Sequence, residues 1–357
     1  MEVVQEGRSG MGNVFTRFNG DFTDRHLLSM HQLTAGDIHL LLADAQAAEE
    51  AVRNPAERGV NILPLTELKA VMRQPSTRTG GSMATAMHKL GGGAQVISGM
   101  EASSEGKGET QADSWIAFAT QADIIGTRTD RVGGPATAAQ VINMARRDRK
   151  LVGHVPVINL GDGTNEHPTQ ALGDLFTIFK KFGTFEGLTM ALVGDHERYR
   201  AHHSLMIGAS ILGIKVIAVE SMVAPVPDDF TRLGGANLER TDDLDAAMQR
   251  ADILYIGRNP DEYSGDNITE RERSKQLAHD YTKWVVDRRR LQQMHKDAIV
   301  MHPRPRRHEL DPSIDMDPRA SDVQQMADMI PMRMAIIARL LGKSIKEERD
   351  QRLAAAS

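Results

Sequence analysis

Short apolar runs of β type alternate with helical patterns along most of this chain, and that alternation is the tightest constraint on its fold. Runs at 68–72, 94–98, 123–127 and 155–160 enclose helical segments around 110–122 and 135–147. A second series at 188–193, 215–219, 252–256 and 298–301 follows a helix over 167–182. Strands interleaved with helices specify βαβ units, which close only as parallel sheets covered on both faces. The predicted fold class is α/β, with two doubly wound domains, each a central parallel sheet flanked by helices. A chain of 357 residues suits two domains. The predicted division is a loose arm over 1–25, a first domain over 26–166 completed by a returning helix at 320–342, a second domain over 167–319, and a frayed tail over 343–357. Thr34-Ala35-Gly36-Asp37 is the predicted capping box of the first helix, with Ile38, Leu41, Leu42 and Ala45 on its inner face.

Composition narrows the function classes. The chain is 40% hydrophobic and 25% charged, enough to bury a sizeable core, and its net charge of −5 lacks the basic stripe of a nucleic-acid binder. It contains no cysteine, which excludes disulfides, thiolate metal sites and a cysteine nucleophile. No apolar stretch approaches 18 residues and no signal-peptide core opens the chain, so the expected location is the cytoplasm, away from membranes. The histidines at 202, 203, 302 and 308 are not at metal-ligand spacing with carboxylates, and Met326, Met329, Met332 and Met334 read as core.

Polar chemistry gathers where the strands end, as open α/β sheets require. Pro75-Ser76-Thr77-Arg78-Thr79 follows the 68–72 run and opens a helix that stops at Gly91-Gly92-Gly93. Hydroxyls, an Arg and unpaired amides at a helix start form a site for an anion, phosphate above all. The same tetrapeptide also suits a plain Ser cap beside a surface Arg. Gly161-Asp162-Gly163 leads through Glu166 to His167-Pro168-Thr169-Gln170, a strand end, a turn and a helix start. A neutral His167 there can donate to a carbonyl oxygen, and it can equally serve as a local cap. Arg128 and Arg258 each close a strand, and Arg198 and Arg200 follow Val193-Gly194-Asp195. Separated arginines at sheet edges match the forked geometry of carboxylate and phosphate. Walker-type and GxGxxG nucleotide motifs are absent.

Pro75–Thr79 with the Ala86-to-Gly92 segment, Gly106-Lys107-Gly108-Glu109-Thr110, and His167–Gln170 with Asp174-Leu175-Phe176 together resemble the catalytic chain of aspartate carbamoyltransferases. So do Val193-Gly194-Asp195, Arg200 with Ser204, 252–255, His302-Pro303 with Pro305-Arg306, and Gln324-Gln325. The similarity is ordered and covers about 25–341. Ornithine enzymes of the wider group carry Cys at the counterpart of Pro303, so Pro303 favours the aspartate side.

The resemblance implies transfer of a carbamoyl group from carbamoyl phosphate to L-aspartate in pyrimidine synthesis, with no metal or organic cofactor. Ser76, Thr77, Arg78 and Thr79 would hold the phosphate. Thr79, Arg128 and His167 would polarise the carbonyl, and Gln170 would hold the amide. Ser103 and Lys107 match residues supplied by a neighbouring subunit, which implies a homotrimer with shared active sites, and a regulatory chain is a further partner the family allows. Arg200 and Arg258 match the residues that grip the carboxylates of aspartate, with Lys107 and the 303–304 loop, Pro303 and Arg304, beside them. Glu109 matches an acid that pairs with Arg78.

Departures leave two alternatives open: a carbamoyltransferase for another amino acceptor, and a catalytically silent homologue acting as an assembly partner. Gly80-Gly81 and Ala84 stand where the family carries Arg and Glu, and Pro260 where a Gln is usual. Arg304 replaces an apolar residue in the acceptor loop, where it would either recharge the pocket or point to solvent.

Overall fold

A computed structural model describes residues 14–99, 107–234, 237–258 and 268–356. The chain packs as two compact units, Met1–Phe176 with Asp328–Ser357, and Thr177–Ala327.

In the first unit, α1 (Ala35–Arg53) begins at Thr34 with both halves of the capping box formed, Thr34 Oγ1 to Asp37 N and Asp37 to Thr34 N. Then come β1 (Glu67–Met72), α2 (Thr77–Lys89), β2 (Gly93–Ser98), α3 (Gln111–Ala119), β3 (Ile124–Thr129), α4 (Gly134–Arg147), β4 (Val157–Asp162) and the start of α5 (Pro168–Phe182). The strands form a parallel sheet in the order β2-β1-β3-β4. The chain moves outward from β1 to β2 and then returns to the other side of β1, so the strand order reverses between β1 and β3. The carboxyl ends flanking such a switch point leave a crevice for ligands. β1, β3 and β4 are buried along nearly their whole length, consistent with a sheet covered on both faces. Trp115, Ile125, Ile142 and Val157 belong to one of its cores.

In the second unit, β5 (Thr189–Gly194), α6 (Arg200–Leu212), β6 (Lys215–Glu220), α7 (Asp228–Gly234), β7 (Leu238–Thr241), α8 (Leu244–Met248), β8 (Ile253–Ile256), α9 (Ile268–Lys283), α10 (Arg288–Leu291) and β9 (Ile299–Met301) follow in order. Their sheet is also parallel, in the order β7-β6-β5-β8-β9, and its switch point lies between β5 and β8. The long helix α11 (Asp322–Leu340) and a last helix α12 (Ile345–Ala356) end the chain.

Two segments differ from expectation. Residues 14–25 of the arm are anchored at points along an otherwise exposed segment: Phe18 and Phe22 are buried, Phe18 N donates to Gln32 O at 3.1 Å, and Gly20 N donates to Asp37 Oδ1 at 2.6 Å. Nor is 343–356 a frayed tail, because α12 is docked through charge. Buried Asp44 accepts from Ser344 Oγ at 2.9 Å and Lys346 N at 2.8 Å, and Arg349 pairs with Glu50 and Glu57. Ion pairs to α1 supply an anchor that the weak apolar pattern of α12 does not advertise.

Candidate active site

Strand β1 runs into the phosphate-type loop. Ser76 adopts extended backbone as the N-cap of α2, its Oγ accepting from Thr79 N at 3.4 Å. The first-turn amides of any helix lack partners within the helix and sit at its positive end. Thr77 and Arg78 are exposed there, while Thr79 is 6% exposed and turned inward.

Arg128 is the register partner of Met72, and the pairing of β3 with β4 shifts between Thr127 and Thr129. An irregularity of this kind at a strand end re-aims the side chain it carries. The carbonyl of Arg128 accepts from Arg73 N at 2.9 Å and Gln74 N at 3.2 Å, and its Nε donates to Gln74 Oε1 at 3.1 Å. Backbone and side chain of Arg128 are therefore both tied to the loop that leads into α2. Arg73 meanwhile lies over the Trp115 ring, 4.7 Å from its centroid.

After β4 the chain makes a tight turn braced by acids. Asp162 Oδ1 accepts from Asn159 Nδ2 at 2.9 Å and Glu166 N at 3.1 Å, and Oδ2 accepts from Gly133 N at 2.9 Å and Asn165 Nδ2 at 3.1 Å. Glu166 is buried and accepts from Ser29 Oγ and, at 3.0 Å, from Met30 N. Gly163 has φ +53°, and a Cβ there would lie 3.0 Å from Asp130 O and Val132 N. These braces set His167, 5% exposed, whose carbonyl accepts the first amides of α5, Gln170 N at 3.0 Å and Ala171 N at 3.2 Å. Gln170 Nε2 donates to Asp174 Oδ1 at 2.9 Å, which leaves the amide oxygen of Gln170 as an acceptor for an incoming N–H.

The first unit thus gathers Ser76–Thr79, Arg128, His167 and Gln170 at the ends of three adjacent strands, β1, β3 and β4. Lys107 is exposed. Glu109, expected to pair with Arg78, accepts from Ser114 Oγ at 2.9 Å. Ser103 and Pro260 lie outside the described residues.

In the second unit Arg200 opens α6, 9% exposed, and Arg258 follows β8, half-buried, after Gly257 N donates to Val193 O at 2.9 Å. Arg198 is committed to Asp195, which accepts its Nε at 2.8 Å and its amide at 2.9 Å. Beneath the Arg200 turn, His202 Nδ1 lies 3.1 Å from His196 Nδ1, and His203 Nε2 lies 2.6 Å from His196 O. Burial pushes His196 down to about 3 and His202 well below its ordinary value. Among the described residues no cluster of three or more His, Cys, Asp or Glu side chains is arranged to hold a metal.

The 302–306 loop is held from several directions. His302 N donates to Gln325 Oε1 at 2.8 Å, its Nδ1 accepts from Arg304 N at 2.9 Å, and its Nε2 meets Glu309 Oε1 at 2.9 Å. Arg304 has φ +55°, and its guanidinium binds Asp322, with Nε to Oδ2 at 2.6 Å. Neither alternative envisaged for Arg304 describes it: the charge is neutralised by a buried carboxylate. Pro303 is half-buried beside it.

Sequence reasoning gave no role to Gln74, Asp162, Glu166 or Asp322. Only Asp162 carried a visible signal, an acid between two glycines at a strand end.

Comparison with known proteins agrees with this geometry. Residues 25–180 match the family model described as the aspartate/ornithine carbamoyltransferase carbamoyl-P binding domain, and 186–340 match its Asp/Orn binding domain. The aspartate carbamoyltransferase catalytic subunit of Thermoplasma acidophilum is 32% identical over 323 residues, 89% of this chain and 99% of that one. That of Archaeoglobus fulgidus is 33% identical over 317 residues, again 89% and 99%. Among solved structures, aspartate transcarbamoylase from Trypanosoma cruzi in complex with carbamoyl phosphate superposes with a TM-score of 0.80 at 30% identity, covering 90% of this chain and 98% of that one. Both family domains are present in order and span most of the sequence, so this chain belongs to the aspartate/ornithine carbamoyltransferase family.

Proposed function

We propose that this chain transfers the carbamoyl group of carbamoyl phosphate to the amino group of L-aspartate, releasing N-carbamoyl-L-aspartate and phosphate as a step of pyrimidine synthesis. The observation that carries the reading is the convergence, on the β1, β3 and β4 ends of one sheet, of a helix-start anion site, an Arg and a helix-start His. The structurally similar proteins include aspartate transcarbamoylase from Trypanosoma cruzi solved with carbamoyl phosphate and with N-(phosphonacetyl)-L-aspartic acid.

Carbamoyl phosphate is a small dianion with one carbonyl and one amide. The start of α2, with Ser76, Thr77, Arg78 and Thr79, offers amides, hydroxyls and a cation to the phosphate. Arg128, Thr79 and His167 offer donors to the carbonyl oxygen, and Gln170 offers an acceptor to the NH2. The acceptor amine bonds to the carbonyl carbon while charge builds on oxygen. The C–O bond to phosphate then breaks, phosphate leaves with the electron pair, and the proton shed by the amine nitrogen passes to the departing phosphate oxygen. Donors fixed where that charge develops lower the barrier, and loss of one typically costs on the order of 10²–10³ in rate. Arg200 and Arg258 would bind the two carboxylates of aspartate, with Pro303 and the backbone at Arg304 lining the amine end. Because Arg304 is paired with Asp322, its charge gives no reason to assign a different acceptor.

On this reading the first unit, Met1–Phe176 with Asp328–Ser357, binds carbamoyl phosphate, and the second, Thr177–Ala327, binds aspartate. Ser103 and Lys107 belong to the same reading as donors to a neighbouring site in a cytoplasmic homotrimer. Subunits of Lys107→Ala mixed with subunits of Arg128→Ala should regain activity if sites are shared; mixtures that stay inactive would refute sharing. The function itself is tested by phosphate release with aspartate, ornithine, putrescine or no acceptor, where turnover is expected with aspartate alone.

A further inference from the structure

Arg333 of α11 is 2% exposed, and its Nε makes no hydrogen bond among the described residues. A buried guanidinium is costly unless partners compensate it. Burial pulls Arg333 down to about 10, and the charge of Asp174 opposes that fall. Its Nη1 donates to Ser82 Oγ on α2. Ser82 then spends its own hydroxyl proton on the backbone of the phosphate-type turn, with Arg78 O at 2.6 Å and Thr79 O at 3.2 Å. Asp174 of α5, whose charge acts on Arg333, is 0% exposed and is the acceptor that orients Gln170 Nε2.

The packing brings the helix that carries Arg333 against α5. Gly173 admits the Met329 side chain where any Cβ would collide, so α11 lies close against α5 beside Asp174. Met329 and Arg333 are four residues apart and share a helix face.

We propose that Arg333 is a positioning residue which ties the start of α2, through Ser82, to the start of α5, through Asp174, so that the phosphate donors and the Gln170 amide address one bound carbamoyl phosphate. The inference rests on the functional reading above. Inorganic phosphate needs only the α2 side, whereas carbamoyl phosphate needs both, so the ratio of their dissociation constants reports the alignment. A residue that merely stabilised the unit would lower the melting temperature and leave that ratio alone.

The test is calorimetric titration of the whole protein with carbamoyl phosphate and, separately, with inorganic phosphate, for wild type, Arg333→Lys, Arg333→Met and Ser82→Ala, each checked for folding by circular dichroism. The preference for carbamoyl phosphate over phosphate should fall about tenfold in Arg333→Met and less in Arg333→Lys, since small misplacements weaken such contacts steeply. If Arg333→Met does not fold, Arg333→Lys and Ser82→Ala carry the comparison. An unchanged ratio in folded variants, with wild type binding carbamoyl phosphate, would overturn this inference alone. A wild type that fails to bind carbamoyl phosphate would overturn the functional reading and this inference with it.

Discussion

Arg128 Nε donates to Gln74 Oε1 at 3.1 Å, while the Arg128 carbonyl accepts from Gln74 N at 3.2 Å. Two hydrogen bonds between the same two residues lock the end of β3 to the loop that starts α2, and so fix the Arg128 guanidinium relative to Ser76–Thr79. Gln74→Ala keeps the guanidinium and removes its guide. It should lower kcat by about tenfold, against the 10²–10³ expected for Arg128→Ala. Steady-state kinetics with saturating aspartate measure this; a Gln74→Ala enzyme with wild-type kcat would show that Arg128 needs no guide.

The two helix glycines should respond oppositely to a methyl group. Gly81 is exposed with nothing within 4 Å of a built Cβ, so Gly81→Ala should stabilise by roughly 0.5–1 kcal/mol through helix propensity and a less flexible unfolded chain. At Gly80 a Cβ would lie 2.7 Å from Val96 Cγ1, and Gly80→Ala should lose that gain to the collision with β2. Urea unfolding of both variants decides, and equal stabilisation would mean that Val96 moves aside freely.

Asp322 is 4% exposed and holds Arg304. Removing the carboxylate frees a cation in the 302–306 loop, whereas replacing Arg304 strands a buried acid. Asp322→Ala should raise the KM for aspartate, and Arg304→Leu should cost about 1–3 kcal/mol of stability while leaving acceptor choice intact. Acceptance of ornithine by Arg304→Leu would contradict the assignment of Arg304 to the loop's structure.

Acid should destabilise the protein through its buried imidazoles. His26 is pushed down to about 3 by burial and by the nearby His154, and His196 to about 3 by burial, from an ordinary value of 6.5. Between those values the unfolded chain takes up protons that the native protein refuses. Stability is therefore full above pH 6.5 and falls as pH drops toward 3, by about 1.4 kcal/mol per pH unit for each such histidine. Denaturant titrations from pH 7.5 to 5 should show the decline, and His196→Asn should flatten it; a flat wild-type profile would mean these rings take up protons without unfolding.

What was legible in the chain follows from range. Buried parallel strands such as β5 and β6 are continuous apolar runs, so their existence and order could be read directly. β7, Leu-Glu-Arg-Thr at a sheet edge, has no such run and was not foreseen. The helix start at Ser76 was visible because a cap is local, as was the stop at Gly91, which has φ +92°. The docking of α12 was not, because its anchor Asp44 lies some 300 residues away in sequence. The same holds within the site. Arg128 and His167 stand at strand ends where position alone draws notice, while Gln74 and Glu166 matter through partners that only folding brings near. Arg304 looked like a change of pocket charge because its partner, Asp322, sits 18 positions further on.

The central claim is most directly tested by following N-carbamoyl-L-aspartate formed by the purified chain from carbamoyl phosphate and L-aspartate, for wild type and His167→Ala. The account predicts sustained turnover that is blocked by N-(phosphonacetyl)-L-aspartic acid and reduced by on the order of 10²–10³ in the variant. Turnover with a different amine and not with aspartate, or none with any acceptor, would contradict it.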